Sequence, residues 1–133
     1  MVRETAVAFE ATTELGFAET VARAREELQK EGFGVLAEID IRAKLEEKLG
    51  VEVEPNLILG ACHPPSAYRA LTAAPEVAVL LPCNLCVSVE RGRTVVRAMN
   101  PASVMEKLAN PALAPVGAEV GAALRRVVAA IAG

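Results

Sequence analysis

The chain has 133 residues, of which 53% are apolar and 23% charged, and its formal net charge is −3. This composition excludes a disordered chain, because so much apolar content can offset the entropy lost on folding, and the length suits one domain with one core. Aromatic residues are scarce and basic residues are scattered rather than clustered, which argues against a nucleic-acid partner.

The ends of the chain contain no segment that predicts export or a membrane anchor. Residues 1–9 include charged side chains and lack the apolar stretch of a secretory signal. Residues 116–132 are interrupted by three charged side chains and fall short of the ~20 apolar residues that span a bilayer. We therefore expect no membrane partner and a cytoplasmic location, where the three cysteines would stay reduced.

The first predicted elements are a short strand and an amphipathic helix. Val7 and Phe9 alternate with smaller or polar neighbours, which predicts a strand that ends at Glu10. From about Gly16 apolar residues recur at helical spacing, and Gly32 predicts that this helix ends in a left-handed conformation.

A second strand and a short helix follow. From residue 33 to residue 41 every second residue is apolar, which predicts that Phe33, Val35, Ala37, Ile39 and Ile41 share one face of a strand. Asp40 is predicted to cap a helix with Ile41, Leu45 and Leu49 along one side, and Gly50 to end it.

The middle of the chain predicts four further strands. Residues 57–62 form a short apolar run typical of a buried strand, closed by Pro64 and Pro65, and residues 66–74 predict a helix. Residues 77–81 predict a strand, and residues 85–90 and 94–99 predict a hairpin with its turn at Arg91 and Gly92.

The C-terminal part predicts two helices and completes one domain over residues 1–133. A short helix is expected at residues 102–108, followed by a loop containing Pro111 and Pro115 and then a long helix. The predicted buried stripe of that helix is Val120, Leu124, Val127, Val128 and Ile131. The fold class is therefore α+β, with helices packed on one face of a mainly antiparallel sheet.

Several stretches together resemble one bacterial protein family. They are Gly32-Phe33-Gly34-Val35, Glu38-Ile39-Asp40, residues 44–50, Ile58-Leu59-Gly60-Ala61-Cys62 and Leu81-Pro82-Cys83-Asn84. In order and spacing they resemble the domain-of-unknown-function family numbered 302. The resemblance implies a fold like one half of the TATA-box-binding-protein fold and a homodimer, and it implies no catalytic residues.

The sequence departs from the family pattern at a few positions. It has His63 where the family more often has Asn, Asn56-Leu57 where Tyr-Arg is common, and Cys86 where an aliphatic residue is usual. A role for His63 or Cys86 in this chain therefore cannot be assumed for its relatives. A fold resembling a DNA-binding protein is likewise no argument for DNA binding, because function depends on sites.

One constellation could carry chemistry. Cys62 and His63 end one predicted strand, while Pro82, Cys83 and Asn84 precede another, so we expect these five residues to meet around a ligand-binding cleft. An unknown small molecule is the expected ligand, and no cofactor can be named from the residues.

An alternative interpretation makes the cysteines a redox or metal site. Cys62, Cys83 and Cys86 with His63 would suit tetrahedral Zn²⁺, and Cys83-x-x-Cys86 could form a reversible disulfide. In a regular strand, however, residues three apart point to opposite faces, so this pair needs a turn or bulge. The simpler interpretation is that free cysteines are small buried apolar residues.

Glu38 and Asp40 are a weaker catalytic candidate. They share a strand face and could work as a carboxylate pair in acid–base chemistry. The simpler interpretation is a helix cap for Asp40 and a solvated or dimer-contact residue for Glu38.

Overall fold

The computed structural model describes all of residues 1–133. It contains six strands and five α-helices, joined by short turns of 3₁₀ helix. The strands are β1 (Arg3–Glu4), β2 (Ala8–Thr13), β3 (Gly34–Asp40), β4 (Asn56–Cys62), β5 (Cys83–Glu90) and β6 (Arg93–Met99). The helices are α1 (Phe17–Lys30), α2 (Ile41–Leu49), α3 (Pro64–Ala73), α4 (Pro101–Met105) and α5 (Ala114–Ala132).

All six strands belong to one antiparallel sheet, in the order β1-β2-β6-β5-β4-β3. The β5–β6 hairpin turns at Arg91 and Gly92, both at positive φ, as the sequence predicted. This architecture confirms the predicted α+β class with a mainly antiparallel sheet and packed helices.

The core lies between one face of the sheet and the helices α1 and α5. The whole predicted stripe of α5 is buried, from Val120 to Ile131, and meets Phe9, Leu59, Leu85 and Val96 from the strands in one apolar cluster. At about 25 cal/mol per Å² of apolar surface removed from water, this cluster is the main source of stability. No helix of the chain combines the length and the apolar character that a membrane crossing requires.

Several predicted boundaries and glycine positions agree with the structure. Gly32 and Gly50 follow α1 and α2 in left-handed conformations, with φ of 85° and 67°. Asp40 caps α2, since its carboxylate accepts a hydrogen bond of 2.9 Å from the amide of Ala43.

Several predictions of secondary structure were wrong, and the first predicted strand, expected to end at Glu10, continues to Thr13 as β2. Residues 77–81 were expected to form a strand, but residues 75–80 form a 3₁₀ helix that begins at Pro75, with Val77 buried and Val79 exposed. The helix predicted for residues 66–74 begins two residues earlier. Pro64 and Pro65 occupy the first turn of α3, where proline lacks only an amide hydrogen that the helix would not use.

The prediction of one apolar face for β3 was also wrong. Val35 pairs with Ala61 and Ala37 pairs with Gly60, so Leu36 has no partner and forms a bulge. An inserted residue shifts the alternation by one, which moves Ala37 and Ile39 to the face opposite Val35.

The bulged strand and the helix after it form a poorly covered corner, which we call the β3–α2 corner (residues 34–51). β3 is an edge strand with no fully buried residue, and α2 buries none of its side chains. Leu36 is 70% exposed and Leu49 is 69% exposed, while Ile39 and Val51 are also exposed. On the predicted apolar side of α2, Ile41 and Leu45 are only partly buried and Leu49 is exposed, so the chain itself covers this side incompletely.

Candidate functional site

A cleft lies where β4 ends, α3 begins and β5 begins. Ala61 pairs with Cys83 in the sheet, so Cys62 at the end of β4 and His63 after it lie beside Pro82 and Cys83. The structure therefore brings together four of the five residues expected around a cleft. The fifth, Asn84, is exposed and does not line the cleft, because it pairs with Gly60 and alternates with Cys83 to the other face of the sheet.

The floor of the cleft is a small apolar pit. Its volume is about 20 Å³, which is enough for one water molecule. Its lining comes from β4, β5, three helices and the segment before β5: Ala61, Cys62, His63, Ser66, Ala67, Ala70, Leu81, Pro82, Cys83, Met105, Val116 and Val120. The walls are mostly alanine, valine and sulfur-containing side chains, so the pit favours a small apolar group over a charge.

His63 forms one wall of the pit and is held on three sides. Its Nδ1 lies 2.7 Å from Oγ of the buried Ser66, and its ring packs 5.4 Å from the ring of Phe33. A methyl group at position 32 would lie 3.2 Å from Cδ2 of the imidazole. The backbone of residue 32 can therefore lie this close to His63 because glycine has no side chain.

Ser66 has a second hydrogen-bonding partner besides His63. The guanidinium of Arg69 lies 3.4 Å from Oγ of Ser66 and can only donate, so that oxygen accepts from Arg69, while the direction of its hydrogen bond with Nδ1 of His63 depends on the imidazole tautomer. This arrangement leaves Nε2 of His63 as the nitrogen with no partner in the chain, and available to a ligand.

A second, more polar hollow adjoins the pit and shares His63, Ser66 and Val120 with it. Its volume is about 90 Å³, and its other walls include Glu31, Phe33, Glu119 and Arg126. We call this hollow the polar rim. Its position beside the pit gives the cleft an apolar floor and a hydrogen-bonding edge.

Two ion pairs border the polar rim. Arg126 donates to the carboxylate of Glu31 at 2.8 Å, and Arg69 donates to that of Glu119 at 2.6 Å. The hydrogen bond from Arg126 lowers the pKa of Glu31, and the one from Arg69, helped by the nearby His63, lowers the pKa of Glu119. Both carboxylates therefore stay ionised at neutral pH and balance the two arginines.

The Cys83 thiol in the cleft is poorly suited to nucleophilic chemistry. Burial raises the pKa of the Cys83 thiol to about 11, and the neighbouring Cys62 adds to the increase. At pH 7 a thiol of this pKa is roughly 0.01% thiolate, whereas reactive cysteines have a lowered pKa. All three cysteines are free thiols.

Cys86 lies away from the cleft. It pairs with Ile58 and Arg97, on the face of the sheet opposite Cys83, because β5 is regular between the two cysteines. Burial raises the pKa of the Cys86 thiol, and the charge of Arg97 opposes this. No group of three or more His, Cys, Asp or Glu side chains is placed to hold a metal ion, so the geometry gives no support to the zinc hypothesis.

The carboxylates of Glu38 and Asp40 have separate structural partners. Glu38 forms an ion pair with Arg25 of α1, and Asp40 caps α2. Neither contributes to the pit or the polar rim. This arrangement agrees with the simpler interpretation, in which Asp40 caps a helix and Glu38 is a surface residue, rather than with a catalytic carboxylate pair.

Sequence reasoning missed most of the polar rim. Glu119 and Arg126 are seven residues apart on α5 and so share one helix face, a signal available in the sequence. Their meeting with Glu31 after α1 and Arg69 on α3 depends on how the helices pack, which residue spacing does not reveal. The sequence identifies Ser66 only as the first residue of a predicted helix.

Comparison with known proteins identifies similar chains. A family model described as "Domain of unknown function DUF302" matches residues 9–131. A crystal structure of an uncharacterized conserved DUF302 protein from Bacillus stearothermophilus is 32% identical, with a TM-score of 0.88 over 93% of this chain and 97% of the other. None of the curated proteins that were compared matches the sequence.

Proposed function

This chain belongs to the DUF302 family, and from that premise we propose that it is a homodimeric module that binds a small ligand in the cleft beside Cys62 and Cys83. The observation that carries the ligand proposal is the junction of the apolar pit with the polar rim at His63. Small-molecule sites combine such apolar walls with a few placed polar groups.

The volume and the lining of the cleft indicate which kind of ligand it would bind. The pit of about 20 Å³ admits a group the size of a methyl, and the polar rim offers Nε2 of His63 as a hydrogen-bonding partner. The expected ligand is therefore a small molecule with a short apolar end and a polar group next to it. The paired arginines and carboxylates of the rim favour a ligand without a large net charge.

A pit-filling variant tests the ligand proposal. Ala67 is partly exposed at the pit, so Ala67→Leu fills the space without disturbing the core, and Ala22→Leu makes the same change on the exposed side of α1. Ligand-observed NMR with a library of small fragments should give hits that Ala67→Leu loses and Ala22→Leu keeps. Hits unchanged in Ala67→Leu, or no hits with the parent chain, would contradict the proposal.

The homodimer proposal depends on the β3–α2 corner. An edge strand has unpaired backbone groups, and here it also presents exposed Leu36 and Ile39 beside a helix with no fully buried side chain. Charges of both signs on α2, Lys44 and Glu47 among them, suit contact with a second copy of the same surface. A two-fold arrangement would cover both corners at once.

Light scattering at micromolar concentration tests the dimer. The parent chain should have twice the mass of a 14.0 kDa chain, and Ile39→Glu should reduce it to one chain because a buried carboxylate would have no partner. Val79→Glu is the matched control, since Val79 is also apolar and exposed but lies on the 3₁₀ turn before β5. A parent mass of one chain would rule out the dimer.

The thiol-dependent redox or metal-binding alternative retains only weak support. Cys62 and Cys83 are neighbours, but the raised pKa of Cys83 and the position of Cys86 on the other face oppose both versions. Elemental analysis and free-thiol titration of untagged protein should find three thiols and no tightly held metal. One metal per chain, or an oxidisable pair, would favour the alternative.

A further inference from the structure

A second cleft lies at the other end of β5, away from Cys83. It opens between the end of β2, the start of α1 and the turn of the β5–β6 hairpin, and its volume is about 380 Å³. We call it the hairpin cleft. Its lining is mostly polar: Thr12, Thr13, Glu14, Leu15, Gly16, Gly92, Arg93 and Thr94.

The N-terminus of α1 opens onto the hairpin cleft without a side-chain cap. Gly16 is the N-cap residue and has no side chain to accept from the helix, and the first bond to its carbonyl comes from the amide of Thr20 at 2.9 Å. The amides of residues 17–19 therefore have no partner within the helix, and the helix dipole gives this end a partial positive charge.

Thr94 is an independent sign of a ligand in this cleft. The residue is only 7% exposed, and its hydroxyl makes no hydrogen bond within the chain, although every fully enclosed side-chain nitrogen or oxygen has a partner. The hydroxyl must therefore keep contact with solvent, and the cleft that Thr94 lines is where it does so. Thr94 pairs with Thr13, whose own hydroxyl accepts from the amide of Leu15 at 3.2 Å and still has a proton to donate.

Two arginines and two glutamates surround the hairpin cleft. Arg93 lines the cleft and Arg91 lies in the adjacent turn, and neither has an ion-pair partner within 4.0 Å. Glu14 lines the same cleft and Glu19 lies in the first turn of α1, so both oppose an anion. Glu14 also has no ion-pair partner, although it shares the cleft with Arg93.

We propose that the hairpin cleft binds a tetrahedral oxyanion, either inorganic phosphate or the phosphoryl group of a small molecule. The uncapped amides of α1 and the hydroxyls of Thr94 and Thr13 donate to its oxygens, and Arg93 adds positive charge, as at other helix N-termini that bind phosphate. The site is separate from the pit at Cys62, so it stands whether or not the pit binds a ligand.

Titration with inorganic phosphate at constant ionic strength, followed by amide NMR, tests the proposal. The amides of Phe17, Ala18 and Glu19 should shift and saturate. Thr94→Val keeps the shape of the side chain and removes the hydroxyl, and should weaken binding roughly threefold to tenfold, the effect of one lost hydrogen bond. Glu14→Gln should tighten binding, because it removes one of the two opposing charges.

Charge-matched variants keep the result interpretable if Thr94→Val does not fold. Arg93→Gln alters an exposed side chain of the cleft and should weaken phosphate binding, while Lys107→Gln removes an exposed positive charge elsewhere and should leave it unchanged. The proposal fails if the three amides do not shift in tens of millimolar phosphate. It also fails if Arg93→Gln and Lys107→Gln weaken binding equally, since binding would then follow net charge alone.

Discussion

Two regions of the molecule, the strands β2, β5 and β6 and the β3–α2 corner, differ in how their apolar residues are covered. Around β2, β5 and β6, side chains such as Leu85 and Val96 meet the stripe of α5 and are almost fully buried. In the β3–α2 corner, residues of the same type, Leu36 and Leu49, lie open. In the proposed homodimer, the chain folds around the first region and associates through the second, because contacts within a single chain leave the apolar side chains of the corner largely uncovered.

The largest expected effect comes from deleting a leucine in the covered region. Leu124 is fully buried, so Leu124→Ala should reduce the free energy of unfolding by about 2–5 kcal/mol, measured by urea denaturation. Leu49→Ala is the matched change in the corner and should cost less than about 0.5 kcal/mol in the monomer. Similar losses in both variants would remove the contrast between the two regions.

Alanine substitutions at two glycines, Gly60 and Gly34, should show a smaller difference in stability between the two regions. A methyl group added at Gly60 would lie 2.8 Å from Cγ of Pro82, whereas one added at Gly34 in β3 would meet no atom within 4 Å. Gly60→Ala should therefore cost about 1–3 kcal/mol of stability and displace Pro82 from the pit, while Gly34→Ala should be neutral or slightly stabilising. Thermal unfolding of the two variants measures this difference, and equal midpoints would contradict it.

The smallest expected effect concerns an ion-pair network on the uncovered face of the sheet. Hydrogen bonds from Arg97 and then Ser88 lower the pKa of Glu90 to about 2. The ionised carboxylate therefore stabilises the fold above its ordinary pKa of 4.5, and this contribution is lost as the pH falls from about 4.5 through 2. Because the pair is largely exposed, Glu90→Gln should cost no more than about 1 kcal/mol at pH 7.

The pH dependence of that loss distinguishes the ion pair from a packing effect. The difference in stability between Glu90→Gln and the parent chain should shrink below pH 4.5 and vanish near pH 2. Glu54→Gln removes an exposed carboxylate without a partner, and should change little at any pH. A difference for Glu90→Gln that stays constant from pH 7 to pH 2 would show that charge is not its cause.

Local patterns in the sequence predicted the elements whose partners are close in the chain. The helical spacing of α5, the glycines after α1 and α2 and the turn at Arg91 and Gly92 each depend on a few neighbouring residues. The convergence of Cys62 with Cys83 was also predictable, because two strand ends flanked by prolines were expected to adjoin.

The features that the sequence did not predict depend on contacts between distant segments. The bulge at Leu36 appears only when β3 pairs with β4, and residues 75–80 form a 3₁₀ helix although their apolar run is typical of a strand. The polar rim requires α1, α3 and α5 to meet at His63, and the hairpin cleft requires Gly16 to approach Thr94. Residue spacing within one segment does not determine contacts between distant segments.

Hydrogen exchange tests most directly the claim that a second copy covers the β3–α2 corner. In the parent chain at tens of micromolar, the amides of α2 and the outward amides of β3 should exchange slowly, because the partner copy protects them. In Ile39→Glu the same amides should exchange quickly, while those of α5 stay protected. Equal exchange at the corner in the two proteins, whether fast or slow, would contradict the account, since a partner copy would then make no difference there.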